Sequence, residues 1–201
     1  MLTLHADSRG HAHLVNGEWI EAVGPLEDLS AAHPHARVRV WPGILTPGLV
    51  NLHGNELLEE TYHPDPREAD TLGTEPLTGD ALAALALDDA RWGASARRGV
   101  QRMLAHGTVA AACEPLRNRA VRDAVHRTGL AVRGRLGRPA GTPSLDPLAD
   151  GLLPEFAPAR EPGSAACFAV FDVTDEGELT ERGAGTCVAT VVGGRLVFRR
   201  R

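Results

Sequence analysis

Pro42-Gly43-Ile44-Leu45-Thr46-Pro47-Gly48-Leu49-Val50-Asn51-Leu52-His53-Gly54-Asn55 is the stretch on which the reading of the fold turns. Pro42-Gly43 punctuates the chain, and the mostly apolar run from Ile44 to His53 reads as one buried strand rather than a strand with a wet face. A histidine at the end of a buried strand is a candidate for chemistry, so the segments on either side decide what surrounds it.

Upstream, short runs alternate apolar and polar residues over Leu2–Ala6, Ala12–Val15 and Glu18–Val23, with Asn16-Gly17 between the last two as a hairpin signal. Leu26 to Ala32 allows one or two helical turns, and Arg37–Trp41 alternates again as a half-exposed strand. Downstream, Leu57–Thr78 is an acidic, Pro-rich loop without a period. Helical spacing runs from Gly79 to His106, interrupted near Gly93 and Gly99, and Gly107 is placed to close it. Thr108–Cys113 reads as a buried strand, Leu116–Thr128 as an amphipathic helix ended by Gly129, and Leu130–Leu136 as a further strand, an alternation that implies parallel pairing. Gly137 to Gly163 is rich in Pro and Gly and reads as a surface linker. Ala166–Val173 and Thr186–Arg199 return to strands, with a second hairpin at Gly193-Gly194 and Arg199-Arg200-Arg201 as an exposed tail.

The expected organisation is therefore α+β. A β-sandwich is built from both chain ends, residues 1–43 and 164–201, because strands this short need several partners. It carries a truncated parallel βα insertion over 44–136, followed by the linker 137–163.

Composition narrows the function. The chain has 201 residues, 43% hydrophobic and 23% charged, with a net charge of −5 and 4% aromatic residues. That supplies neither the cationic surface nor the stacking platforms of a nucleic-acid binder. No apolar run reaches the ~18–20 residues of a spanning helix, and Met1 to Gly10 lacks a basic start leading into an apolar stretch, so a cytoplasmic protein with no membrane partner is expected. Cys113, Cys167 and Cys187 show no CxxC spacing and read as reduced thiols. All 21 basic residues are arginine, which excludes Schiff-base lysines, a Walker-type phosphate lysine and a carbamylated lysine between two metals.

The Pro42–Asn55 stretch resembles barrel strand one of the amidohydrolase superfamily, where Pro-Gly-hydrophobic-Val-Asn-x-His-x-His carries two metal ligands. Arg98–Thr108 is similar to the family's approach to strand two, Thr128–Gly134 to strand three, and Ala166–Asp172 with Val191–Val197 to its closing sandwich strands, Cys167 standing where an Asp is common. The nearest resemblance is to imidazolonepropionases and aminodeoxyfutalosine deaminases. It implies a composite β-domain bracketing a (β/α)₈ barrel and a zinc- or iron-dependent hydrolase of C–N bonds in small ring substrates. A full barrel takes ~250 residues. This chain has room for about three strands, and no histidine follows His126.

His53 matches the first ligand, while Asn55 stands at the second, where an amide oxygen replaces an imidazole. A catalytic zinc site needs about three protein ligands and an open position. Glu59 and Glu60 are the candidate catalytic helpers, with Glu56 and His63 close in sequence. This ligand count points to no metal held by the isolated chain, and to a degenerate homologue retained for binding or assembly, as a homodimer or with a pathway enzyme. The preserved strand-one segment points to a metal-dependent C–N hydrolase or deaminase. Both readings stand at this level. His11 with His13, and His33 with His35, are spaced for chelation, which a solvated strand and a turn explain equally. Cys113, at a strand end, is a conceivable nucleophile or a small buried residue. Arg117–Arg138 carries seven arginines and one aspartate, whereas Asn55–Asp80 carries eight acidic residues and one arginine, so two patches of opposite sign are expected.

Overall fold

The computed structural model describes residues 2–149, 155–157 and 161–200. It is a mixed α+β structure whose chain divides into two compact units, Met1–Val50 with Leu104–Val109 and Asp146–Arg201, and Asn51–Met103 with Ala110–Leu145. Parts of the expected linker and Arg201 lie outside the described residues.

In the first unit, β1 (Leu2–Ala6), β2 (His11–Asn16), β3 (Trp19–Pro25) and β4 (Arg37–Val40) form one sheet in the order β3-β2-β1-β4, with α1 (Leu26–Ala32) between β3 and β4. The β2–β3 hairpin is where Asn16-Gly17 signals it, one residue out of phase. Asn16 pairs with Trp19, so the turn residues are Gly17 and Glu18. Gly17 alone takes a positive φ of 61°, as a turn with glycine at its first central position requires. Pairing of β4 with β1 is parallel, made possible by the α1 crossover. Leu4, Ala6, Ala12 and Leu14 project from one face and are fully buried, with Leu26 and Leu29 of α1 packed on them.

The run expected as a single strand from Ile44 is two. β5 (Ile44–Pro47) pairs with β9 (Phe168–Phe171), while β6 (Leu49–Asn51) enters another sheet. The break falls at Gly48, where a Cβ would lie 2.3 Å from a Val109 methyl carbon. β10 (Cys187–Val192) and β11 (Arg195–Arg199) complete the second sheet in the order β11-β10-β9-β5. Gly193 and Gly194 both have positive φ, 54° and 70°, matching a two-residue turn that needs two such positions. Arg199 and Arg200 are exposed, as expected, and the Arg200 N–H donates to Val188 O at 2.9 Å. Side chains from both sheets share one core: Val15, Ile20 and Trp41 pack with Leu45, Phe168, Val170 and Val191. The rings of His5 and His13 meet Phe168 edge-on at 5.1 and 5.2 Å.

The second unit holds α2 (Gly54–Leu58), the short α3 (Ala69–Leu72) and α4 (Gly79–Ala83), most of α5 (Asp89–Leu104) and of β7 (Thr108–Cys113), α6 (Arg119–Thr128) and β8 (Ala131–Gly134). The third sheet has the order β6-β7-β8, with β7 and β8 parallel. Asn118 caps α6 by accepting from Ala120 N and Val121 N, and Gly129 ends it in the left-handed region. α5 runs unbroken through Gly93 and Gly99. The glycines serve packing instead: a Cβ on Gly99 would meet the His63 ring at 2.7 Å.

Candidate functional site

Three neighbouring strands end close to the residues that carry the sequence argument. His53 follows β6, Cys113 closes β7, and Arg135 follows β8. The Arg135 N–H donates to Cys113 O at 3.0 Å, which holds these chain ends together.

His53 is 7% exposed and stands at the N-terminus of α2. Its N–H donates to Asn51 Oδ1 at 2.9 Å, and Asn51 Nδ2 in turn donates to Ser144 O at 2.8 Å. Asn55, the other predicted ligand, is committed on both amide atoms. Its Oδ1 accepts from Glu114 N at 2.8 Å and from Arg135 Nη2 at 3.1 Å, while its Nδ2 donates to Glu114 O at 3.2 Å and Glu59 Oε2 at 3.3 Å. Glu59 Oε1 accepts from Asn118 N at 2.7 Å, tying the start of α6 to α2. Glu60 is exposed and pairs with Arg138.

At the centre is an ion pair that sequence reading missed. Arg135, whose side chain is 11% exposed, donates Nη1 to Leu52 O at 2.6 Å and Nη2 to Glu56 Oε1 at 2.7 Å. The Glu56 carboxylate is 4% exposed and also accepts from Arg138 Nε at 3.1 Å. Burial pushes this carboxyl up, but hydrogen bonds from Arg135, its own backbone and Arg138 outweigh that and hold it below the usual carboxylate range. Both partners were in view as members of an acidic run and a basic run. Seventy-nine residues separate them, and no local period signals a bond across that distance.

A divalent cation does not fit these groups as they stand. Both lone pairs of Asn55 Oδ1 are taken, one of them by a guanidinium, whose charge repels a metal at the same oxygen. Among the described residues, no three His, Cys, Asp or Glu side chains are grouped as a metal site. His63 is fully buried with Nε2 2.8 Å from Leu57 O, and burial lowers its pKa to about 4. Burial likewise pushes the Cys113 thiol up to about 11. Gly54 fits only because it lacks a Cβ, which would stand 2.3 Å from Cys113 Sγ. His13 is buried whereas His11 is exposed.

Residues 14–36 match the bacterial imidazolonepropionase-like composite domain. The matched segment spans the second half of β2 and all of β3 and α1, upstream of the Pro42–Asn55 stretch. Similar solved structures include ochratoxinase from A. niger at 17% identity and a TM-score of 0.43, covering 66% of this chain and 30% of that one. Guanine deaminase from Bradyrhizobium japonicum gives 20% and 0.37, covering 62% and 27%. N-isopropylammelide isopropylaminohydrolase from Burkholderia multivorans gives 20% and 0.43, covering 75% and 42%. The chain thus spans less than half the length of each of these structures. No curated protein matches the sequence. Among the described residues, no helix is long and apolar enough to cross a membrane.

Proposed function

We propose that this chain is a non-catalytic relative of the metal-dependent amidohydrolases, a binding or assembly protein in which the Arg135 guanidinium does the electrostatic work of a divalent cation. One observation carries the reading: Arg135 gathers Leu52 O, Asn55 Oδ1 and Glu56 Oε1 at the strand ends, beside His53 in sequence. A guanidinium binds such a cluster through directed hydrogen bonds, here leaving Glu56 Oε2 and its own Nε without a hydrogen-bond partner among the described residues. It offers no open coordination position and activates no water, which is what a hydrolytic metal must supply.

The finer architecture belongs to the same reading. The two four-stranded sheets form a composite sandwich, supported by the core they share, and β6, β7 and β8 correspond to the opening units of a barrel. The last strand of that series supports an assembly role. β8 is an edge strand that leaves Val132 51% exposed, and Leu136 beyond it is fully exposed. An open edge with apolar side chains is a template for a partner, and a second copy of this chain is the simplest one.

The test is turnover. Purified protein supplemented with zinc or iron is assayed against imidazolone, cyclic amidine and aminopurine substrates, beside the His53→Ala variant. The reading expects no hydrolysis above the variant's background. Metal-dependent hydrolysis that disappears in His53→Ala would overturn it in favour of a C–N hydrolase.

A further inference from the structure

Four arginines converge on one pocket of the first unit, with no paired carboxylate among the described residues. Arg37 and Arg39, at i and i+2 of β4, project to the same side of the strand. Arg199 ends β11 and Arg200 follows it. Together they line a cavity of about 540 Å³ that also includes Trp41 and Leu196. Elsewhere in the chain Arg9, Arg91, Arg98, Arg119, Arg135, Arg138 and Arg182 all find carboxylates. Among the described residues no carboxylate pairs with Arg37, Arg39, Arg199 or Arg200, in a chain whose net charge is −5. Burial and the nearness of Arg37 and Arg199 depress the Arg39 pKa, the mark of cations crowded together.

The floor of the pocket is fixed. Trp41 is 7% exposed and its Nε1–H donates to His5 Nδ1 at 3.2 Å, while the Arg199 guanidinium lies 5.8 Å from its ring centre. His5 stays neutral in this setting, its pKa lowered to about 4 by burial and by Arg39. The other charged groups facing Arg39 among the described residues are Arg37 and Arg199. An apolar floor under several guanidinium forks suits a ligand with an apolar body and a compact double charge, which forks engage bidentately.

We propose that this pocket binds a small organic phosphate, its phosphoryl group held by Arg37, Arg39 and Arg199 and its apolar part lying against Val40, Leu196 and the edge of Trp41. The inference goes beyond the reading of the Arg135 centre and does not depend on it. The competing explanation is that inward-pointing charges on edge strand β4 merely prevent it from pairing with other chains.

Isothermal titration of the full chain with phenyl phosphate and with inorganic phosphate tests the proposal. Phenyl phosphate is expected to bind with a Kd below about 1 mM, inorganic phosphate more weakly, and both less well as salt rises. The Arg37→Ala/Arg39→Ala double variant is expected to lose at least about tenfold in affinity, equivalent to about 1.4 kcal/mol, and the double lysine variant to recover part of it. Light scattering on the alanine variant reads edge pairing directly. No heat at about 10 mM phenyl phosphate, undiminished binding in the alanine variant, or duplex DNA binding where phenyl phosphate does not, would each overturn the proposal. So would an alanine variant that self-associates while wild type binds neither ligand.

Discussion

Arg135 Nη2 lies 2.7 Å from Glu56 Oε1 and 3.1 Å from Asn55 Oδ1, so one buried guanidinium joins the residue after β8 to the helix that follows β6. The Glu56 carboxylate is nearly inaccessible and depends on this partner and on Arg138 for its charge.

Removing Arg135 should therefore cost more than a surface arginine. Arg135→Leu strands a buried carboxylate and is expected to lower unfolding free energy by about 3 kcal/mol, the low end for a broken buried pair because Arg138 remains. Arg119→Leu, which breaks an exposed i,i+4 pair, should change it by less than about 0.5 kcal/mol. Urea denaturation of both variants measures the contrast, and equal losses would count against a central role for Arg135.

Acid should destabilise the protein in two windows. His5 and His63 have pKa values lowered to about 4, so between about pH 6.5 and 4 the unfolded chain binds protons that the fold does not, and stability falls as pH falls. Glu56 is depressed in the fold, so its contribution is complete above the unfolded carboxylate pKa of about 4.3 and is lost as pH drops through the folded value. Proton-resolved NMR should show the His5 and His63 rings unprotonated at pH 5.5. Midpoints near 6.5 would contradict the neutral, buried assignment.

Much of the strand plan was legible because turn chemistry is local. Gly193-Gly194 marked its hairpin by composition alone, and Thr108–Cys113 was bounded correctly by apolar content between a glycine and a charge. The errors have a common origin in tertiary packing. Gly48, at the break between β5 and β6, is glycine because Val109 occupies the space of a Cβ, and Gly99, inside an unbroken α5, is glycine because the His63 ring lies against it. No window of sequence contains both members of either contact. The candidate site divides in the same way: the strand-end position of His53 was readable, whereas the bonds that commit Asn55 come from Glu114 and Arg135, 59 and 80 residues away.

The two hairpin tips set a steric test. A Cβ on Gly194 would stand 1.8 Å from Gly17 O, at a φ of 70°, whereas one on Gly10, at φ 80°, meets nothing within 4 Å. Gly194→Ala should therefore destabilise by at least about 1 kcal/mol more than Gly10→Ala, since only conformational cost applies at the second site. Thermal unfolding of the pair gives the comparison, and equal midpoints would mean that the tips do not meet.

Thiol reactivity separates a buried cysteine from a nucleophile. Cys113 and Cys187 are buried with pKa values pushed up to about 11, while Cys167 is half-buried. Native protein treated with iodoacetamide at pH 7.5 should be modified first at Cys167, with Cys113 labelled only on unfolding. Mass spectrometry of the peptides decides this, and rapid labelling of Cys113 would restore its candidacy as a catalytic thiol.

The most direct measurement is metal content and uptake. Wild-type protein purified without chelators or an affinity tag, the His53→Ala variant and the Arg135→Leu variant would be analysed for zinc and iron, then titrated with zinc. If the guanidinium stands in for the cation, wild type carries no stoichiometric metal, titrates without a site of one ion per chain, and is indistinguishable from His53→Ala. One zinc or iron per chain in wild type, lost in His53→Ala, would contradict the account and make the chain a metalloprotein.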